Sequence, residues 1–327
     1  MSSAINAVIA ILEKYPEEPL PAALVAVGIA VVSKFAIGFL CALYRYLLRP
    51  SLDLTKFGKY AVVTGATDGI GRAYAVALSK RGMSLILISR TEARLKAVAD
   101  EIDSSSAKTR YIVCDYSNFD GAARRRVMEG LDGLDIGILI NNVGVSYRYP
   151  MYYHELSDTE VGDIVGMNVN STVHMTKMII DGMASRRRGT IVNVSSGSAG
   201  HTMPLLAEYG AAKMFVERFS SSLDAEYRGR GVRVQCQIPF YVATKLAKLR
   251  KSLTVPTADE YARMGVRWLG YGGVVQPYWL HGFQGWVMSC LPSFILERGV
   301  MSMHDGIRRR GIKKDAKLAA GGGKKAE

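Results

Sequence analysis

Cysteine is scarce in this chain: Cys41, Cys114, Cys236 and Cys290 are the only four in 327 residues, and no CxxC spacing links them. That argues against a thiolate zinc site, and against a metal centre generally, and it excludes a disulfide framework; reduced, packed thiols in a cytosolic environment are expected. Acidic residues are also few, 29 against 42 lysines and arginines, for a net charge of +13. Such a surplus suits nucleic acid, yet the mean hydropathy is slightly positive, +0.09, which a basic nucleic-acid-binding chain rarely shows. The expected partner is therefore a membrane, with no nucleic acid. No internal repeat is visible, and 49% hydrophobic residues give enough apolar surface for a large core and too much for disorder.

What the chain does have is one long apolar run, Ala22 to Tyr44, interrupted only by Lys34. At about 1.5 Å per residue it reaches roughly 34 Å, enough for a bilayer core. A central lysine costs about 2.5–3.5 kcal/mol, and the Leu, Val, Ile and Phe residues contribute about −0.3 to −0.6 kcal/mol each, so insertion stays favourable. No basic segment precedes the run and no small-residue cleavage site follows it, so a retained anchor is expected rather than a signal peptide. Before it, Lys14 stands among Glu13, Glu17 and Glu18; after it come Arg45, Arg49, Lys56 and Lys59 against Asp53. The positive-inside rule then places everything after the anchor in the cytosol.

From Tyr60 to Gln237 short β-branched runs (YAVVT, SLILIS, RYIVC, IGILIN, TIVNVS, VRVQCQ) alternate with amphipathic segments. Six strands alternating with helices imply an α/β fold, a Rossmann-like doubly wound parallel sheet. Directly after the first strand stands Thr64-Gly65-Ala66-Thr67-Asp68-Gly69-Ile70-Gly71, then a helical run. Gly65 allows the tight turn, Gly69 the approach of backbone to a pyrophosphate, and Gly71 the close packing of helix on sheet. At the end of the second strand, where an acidic residue would hold an adenosine ribose, the chain has Ser89-Arg90. A guanidinium there pairs with a 2′-phosphate, so NADPH is the expected cofactor. Asp115, past the third strand, suits the adenine amino group, and Asn142, in the segment Asn141 to Gly144, closes the fourth strand beneath the cofactor.

Tyr209 and Lys213 lie four apart in a helical stretch and so project from one face, and Ser196 follows the strand TIVNVS. With TGATDGIG, NNVG and Asn168 in MNVNS, this arrangement resembles the short-chain dehydrogenase/reductase superfamily over about residues 55 to 245. Ketone reduction needs a hydride at carbon and a proton at oxygen, and a phenol with a pKa near 10 is a sluggish donor at neutral pH. The Lys213 ammonium is expected to lower the Tyr209 pKa, and the resemblance implies that it also binds the nicotinamide ribose. Ser196 hydrogen-bonds the carbonyl oxygen as charge develops. No G-x-S-x-G elbow surrounds it, against a serine hydrolase. Asn168 resembles the residue that kinks the neighbouring helix and holds the relay water. Past the sixth strand, Pro239-Phe240-Tyr241 replaces the usual Pro-Gly before Thr244, which the family would place at the nicotinamide amide.

The NNVG variant, the Phe-Tyr after Pro239 and the N-terminal anchor resemble the microsomal branch of that superfamily, which contains very-long-chain 3-oxoacyl-CoA reductases and related 17β-hydroxysteroid dehydrogenases. The whole layout is most similar to plant 3-oxoacyl-CoA reductases. The resemblance implies NADPH-dependent reduction of very-long-chain 3-oxoacyl-CoA to 3-hydroxyacyl-CoA in microsomal fatty-acid elongation. It implies as partners membrane lipid and the other elongase components: condensing enzyme, dehydratase and enoyl reductase. A ketosteroid reductase shares every catalytic residue and stays open, as does a membrane scaffold without chemistry. The basic surface fits coenzyme A phosphates and anionic headgroups equally, and the loop Tyr147 to Tyr153 is either a substrate-channel lining or a packed surface loop.

Residues 268–296 carry no formal charge and include Trp268, Trp279, Phe283, Trp286 and Phe294. They are read either as an interfacial or re-entrant membrane segment or as a hydrophobic lid. The tail ends Gly321-Gly322-Gly323-Lys324-Lys325-Ala326-Glu327, a flexible spacer whose lysines resemble the dilysine retrieval signal of endoplasmic-reticulum membrane proteins. The expected layout is a membrane anchor over 1–54, an NADPH-binding domain over 55–250, a lid or membrane-apposed segment over 251–305 and a basic cytosolic tail over 306–327.

Overall fold

The computed structural model describes residues 6, 10, 19–103, 108–245 and 249–322. The dilysine end lies outside the described residues. The chain forms two compact units, Met1–Pro50 and Ser51–Glu327.

In the first unit helix α1, Pro19–Leu43, runs into a π turn at Tyr44–Leu48, closed by the Arg49 N–H donating to the Tyr44 carbonyl at 2.8 Å. The helical run Ala23–Leu48 is 26 residues long, so it extends past the expected end at Tyr44 and covers about 39 Å. Leu24, Val32 and Phe39 are each about two-thirds exposed (65%, 68% and 66%). An unburied apolar helix of this length is a candidate membrane span.

The second unit is built on seven parallel strands: β1 Tyr60–Thr64, β2 Ser84–Ser89, β3 Thr109–Val113, β4 Ile136–Asn141, β5 Gly189–Val194, β6 Val232–Gln237 and β7 Gly273–Val275. Their order is β3-β2-β1-β4-β5-β6-β7. Parallel neighbours require crossovers, and the crossover helices cover both faces, which is why β1, β4 and β5 are buried at every residue. Alternate strand residues divide between two cores. Ala61, Val63, Leu85 and Leu87 meet α2 (Gly69–Ser79), α3 (Glu92–Asp103) and α8 (Ala258–Arg267) on one face. Val62, Ile86, Ile88 and Leu139 meet α4 (Gly121–Leu131) and α6 (Ser171–Ser185) on the other. The short helix α5 (Asp158–Val165) precedes α6, and α7 (Ala207–Tyr227) lies against β6.

The uncharged stretch 268–296 is not one segment. Trp268 and Leu269 are buried in the sheet core, where Gln235 Nε2 donates to the Trp268 carbonyl at 2.8 Å. Strand β7, too short to show alternation in the sequence, then adds to the sheet. Most of the stretch's exposed apolar surface lies on α9 (Trp279–Cys290) and the residues just after it, with Trp279, Phe283, Trp286 and Phe294 about half exposed. The basic segment that follows is helical: Ser293–Gly322 is a single helix, α10. Its inward stripe is Val300, His304, Arg308, Gly311 and Asp315, at steps of three or four. All four cysteines are free, but only Cys114 and Cys236 are packed; Cys41 and Cys290 are exposed.

Candidate active site

The strand order reverses between β1 and β4, and the carboxyl ends of these strands open a crevice of the kind that binds ligands in doubly wound sheets. A larger concavity, about 630 Å³ beneath Asp135 and Arg186, lies at the amino end of β4 and carries none of the expected residues.

On one side of the crevice is the β1–α2 turn. Gly65 and Gly69 have φ of +63° and +53°, which other residues rarely adopt, and a Cβ on Gly71 would stand 2.2 Å from the Gly65 carbonyl oxygen. Thr64 Oγ1 accepts from the Asn142 N–H at 3.0 Å, and Asn142 Nδ2 reaches the Thr64 carbonyl at 3.3 Å, so this turn and the end of β4 form one cradle. Ile70 follows in the first turn of α2, which Asp68 caps by accepting from the Gly69 N–H at 2.8 Å. Lys245 pairs with the same carboxylate at 2.8 Å and holds it below the usual carboxylate range. The Thr244 methyl group approaches to 3.3 Å of where a Gly69 Cβ would be, so Thr244 is at the cradle despite the unusual sequence before it. Asp68, Gly69, Thr244 and Lys245 line a cleft of about 440 Å³.

At the end of β2, Ser89 is buried and shares a hydrogen bond of 3.0 Å with Thr67, while Arg90 is exposed. Asp115 is exposed and accepts from the Ser117 N–H and hydroxyl through one oxygen, Oδ1.

On the other side stand Asn168, Ser196, Tyr209 and Lys213. Asn168 is in a π turn, Gly166–Asn170, between α5 and α6, and its Nδ2 donates to the Val145 and Ile164 carbonyls, both at 2.9 Å. Its Oδ1 is buried without a hydrogen-bond partner among the described residues. A Cβ on Gly144 would stand 2.6 Å from that oxygen and 3.1 Å from Lys213 Nζ, so both groups converge on one spot that only glycine leaves open. Lys213 is buried, donates to the Val194 carbonyl at 3.2 Å and has its Nζ 5.8 Å from the Tyr209 ring centroid. Burial pulls its pKa down to about 8.

Ser196 Oγ accepts from the Ser198 N–H at 3.2 Å and is hydrogen-bonded to the Tyr209 phenol. The expectation that Lys213 lowers the Tyr209 pKa is corrected here. Burial raises it, the Tyr241 phenol adds to the rise, and the opposing influence is the Ser196 hydroxyl. The ammonium is directed at the Val194 carbonyl and not at the phenol oxygen.

The unusual Pro239-Phe240 also finds a structural reason. The Phe240 ring packs where a Gly197 side chain would be, and the Phe240 N–H donates to Nδ1 of buried His281 at 3.3 Å. His281, from α9, sits among Phe240, Tyr261 and Tyr278, and burial pulls its pKa down to about 4.

A family model described as short chain dehydrogenase matches residues 59–254. The chain belongs to this family. It is 41% identical over 261 residues to the very-long-chain 3-oxoacyl-CoA reductase of Macaca fascicularis, covering 79% of this chain and 83% of the relative. It is 39% identical over 277 residues to a very-long-chain 3-oxoacyl-CoA reductase-like protein of Arabidopsis thaliana, covering 82% and 87%. A short-chain dehydrogenase from Sphingobium yanoikuyae, solved in complex with NADPH, superposes with a TM-score of 0.60 at 25% identity, covering 71% of this chain and 96% of that one.

Two contributors to this short-chain dehydrogenase site went unrecognised in the sequence. One is His281 beneath Phe240. The other is α10, which reaches the segments after β4 and β5: Tyr149 Oη donates to Asp315 at 3.0 Å, Arg308 pairs with Glu155, and His304 Nδ1 meets the Pro204 carbonyl at 2.6 Å. The signal for α10 was present as the spacing of its inward stripe, masked by the glycines and lysines of its end.

Proposed function

We propose that this short-chain dehydrogenase reduces very-long-chain 3-oxoacyl-CoA to 3-hydroxyacyl-CoA, the first reduction of fatty-acid elongation, with NADPH as donor. The observation that carries this reading is the 39–41% identity to proteins named for that activity over about four-fifths of the chain.

The residues present fit a dinucleotide, because the β1–α2 turn is a cradle that side chains at 65, 69 or 71 would fill or strain. NADPH, when bound, supplies the hydride. Thr64, Gly65, Asp68, Gly69, Ile70 and Gly71 would hold its pyrophosphate at the start of α2, Ser89 and Arg90 its ribose phosphate, Asp115 its adenine, and Asn142 and Thr244 its nicotinamide end. Tyr209 donates the proton to the substrate oxygen. Burial raises its pKa, so it is protonated at neutral pH as a donor must be. Ser196 hydrogen-bonds the same oxygen as negative charge builds there. Lys213, at about 8, is still mostly cationic at neutral pH, and its role in this reading is to bind the nicotinamide ribose. The unpartnered Oδ1 of Asn168 holds the water that returns the proton.

The apolar helix and the Arg45, Arg49, Lys56 and Lys59 that follow it support a catalytic unit on the cytosolic side of a membrane, and the relatives' activity supports the endoplasmic reticulum and the other elongase enzymes as its setting. The exposed Trp279, Phe283, Trp286 and Phe294 suit the membrane interface, where an acyl chain partitions at about 0.8 kcal/mol per methylene.

The test is an NADPH oxidation assay on the full chain in detergent or vesicles, with a long 3-oxoacyl-CoA and a 17-ketosteroid side by side. The acyl-CoA should be turned over with the higher kcat/KM, and Tyr209→Phe should lower kcat by about 10²–10⁴-fold. A higher efficiency on the steroid, or full activity of Tyr209→Phe, overturns the reading.

A further inference from the structure

Helix α7 presents both Tyr209 and Lys213, and its own entry is poorly made. The residue at its N-cap position is Leu206, which offers no side-chain hydrogen bond, and Leu205 before it has φ of +65°, a left-handed conformation unusual for leucine. The first amides of a helix need acceptors, and a Ser, Thr, Asp or Asn at that position would normally supply one.

The acceptor comes from elsewhere. Tyr147, in the loop after β4, is buried in a cluster with Met151, Ile164 and Ala212, and its hydroxyl oxygen accepts from the Glu208 N–H at 3.1 Å. The Tyr209 backbone N–H acts on the same oxygen. Glu208 and Tyr209 are the second and third residues of the helix, the two positions an N-cap side chain serves. Four residues on, the Met151 N–H donates to the Leu205 carbonyl at 2.9 Å and pins the strained entry. The Val145 carbonyl of the same loop accepts from Asn168 Nδ2 at 2.9 Å.

We propose that Tyr147 is a positioning residue, whose hydroxyl serves as the N-terminal cap of the catalytic helix and fixes the first turn on which Tyr209 stands. A single loop, 145–151, thereby sets both the asparagine and the tyrosine of the site. The loop replaces a local cap with one tied to the rest of the crevice, so proton-donor geometry depends on the packing of the region after β4. The kinetic part rests on the reductase reading; the structural part does not.

The experiment is Tyr147→Phe in the full chain, read by amide hydrogen exchange without substrate and by steady-state kinetics. Exchange at the first turn of α7, residues 208–211, should quicken by roughly five- to ten-fold, with α6 and β5 unchanged. The kcat should fall by about ten-fold, with KM for the ketone and affinity for NADPH held, because the proton donor is displaced and the binding surfaces are not. Tyr147→Met, which keeps an apolar filling and also lacks the oxygen, should act alike and serves if the first variant does not fold. Unchanged exchange at 208–211 overturns the cap. Quickened exchange with kcat intact, or a change confined to KM, overturns the positioning role. Exchange is independent of which ketone is the substrate, so failure of the acyl-CoA reading leaves the cap testable.

Discussion

At the dinucleotide end of the crevice the contacts involve backbone within one turn or on adjacent strands: Gly71 lies against the Gly65 carbonyl six residues away, and the Thr64 hydroxyl joins β1 to the Asn142 N–H at the end of β4. At the other end, around the segments after β4 and β5, groups 100 or more residues apart in the sequence meet. Tyr149 reaches Asp315, Glu155 reaches Arg308, and the Pro204 carbonyl reaches His304. The first kind of site admits no substitution but resists perturbation elsewhere. The second tolerates change residue by residue and depends on the whole C-terminal segment staying docked.

The sharpest way to break this contrast is Gly71→Ala. The added methyl group would stand 2.2 Å from a carbonyl oxygen and 2.5 Å from Asn142 Nδ2, with backbone and a hydrogen-bonded, part-buried amide unable to yield cheaply. NADPH affinity, measured by quenching of protein fluorescence, should fall by at least about 100-fold. Retention within a few-fold would mean that this turn is not the dinucleotide cradle.

A second test uses acid. Neutral His281 accepts from the Phe240 N–H after β6, with a pKa of about 4 imposed by burial. Its ordinary value is near 6.5, so between those two pH values the unfolded chain binds a proton that the folded one refuses, and stability falls as pH falls. The cost is roughly 3 kcal/mol by pH 4. Urea unfolding of wild type against His281→Gln should show this acid-dependent difference opening below pH 6.5. Parallel curves from pH 7 to 4 would remove His281 as its source.

The same division governs how much could be read from the sequence. The sheet was legible because fully buried parallel strands appear as short β-branched runs, and all six expected strands fall where those runs stand, to within one residue. Thr64 to Gly71 was legible because a strand, a tight turn and a helix start are contiguous. The pair Tyr209 and Lys213 was legible from its helical spacing. By contrast, nothing near Leu206 announces that its helix is capped from residue 147, and nothing near Asp315 announces Tyr149. The direction of the Tyr209 shift was also hidden, because it depends on burial and on where the Lys213 amine points. Strand β7 has only three residues, too few for any periodicity.

Deleting residues 300–327 sharpens the comparison with a smaller effect. The deletion removes His304, Arg308 and Asp315 together, leaving Glu155, Tyr149 and the Pro204 carbonyl without their partners. KM for a long 3-oxoacyl-CoA should rise by about ten-fold, the equivalent of one or two lost polar contacts, with NADPH affinity unchanged. An equal loss of cofactor affinity would show that the two ends are not held independently.

The smallest effect is expected from the ion pair alone. Arg308 and Glu155 are mostly shielded, with 19% and 28% of their side chains exposed, and the guanidinium holds the carboxyl below its usual range while lying over the Tyr152 ring. Glu155 also accepts from the Tyr152 N–H at 2.9 Å, so it serves the loop's own turn as well as α10. Arg308→Met leaves that local bond in place and keeps the aliphatic stem that covers Tyr152, so it isolates the tether. KM for the long substrate should rise by about two- to five-fold, as for a partly shielded pair. High salt should lower the wild-type advantage, because screening weakens the pair while leaving the backbone cradle at Gly71 untouched. Since the Glu155 carboxyl is depressed in the folded chain, its contribution is present above about pH 4.5 and is lost as pH falls through the lower folded value. A double-mutant cycle with Glu155→Gln measures the coupling directly. Additive effects would mean that α10 is held by its Val300 and His304 packing, with the charges as bystanders.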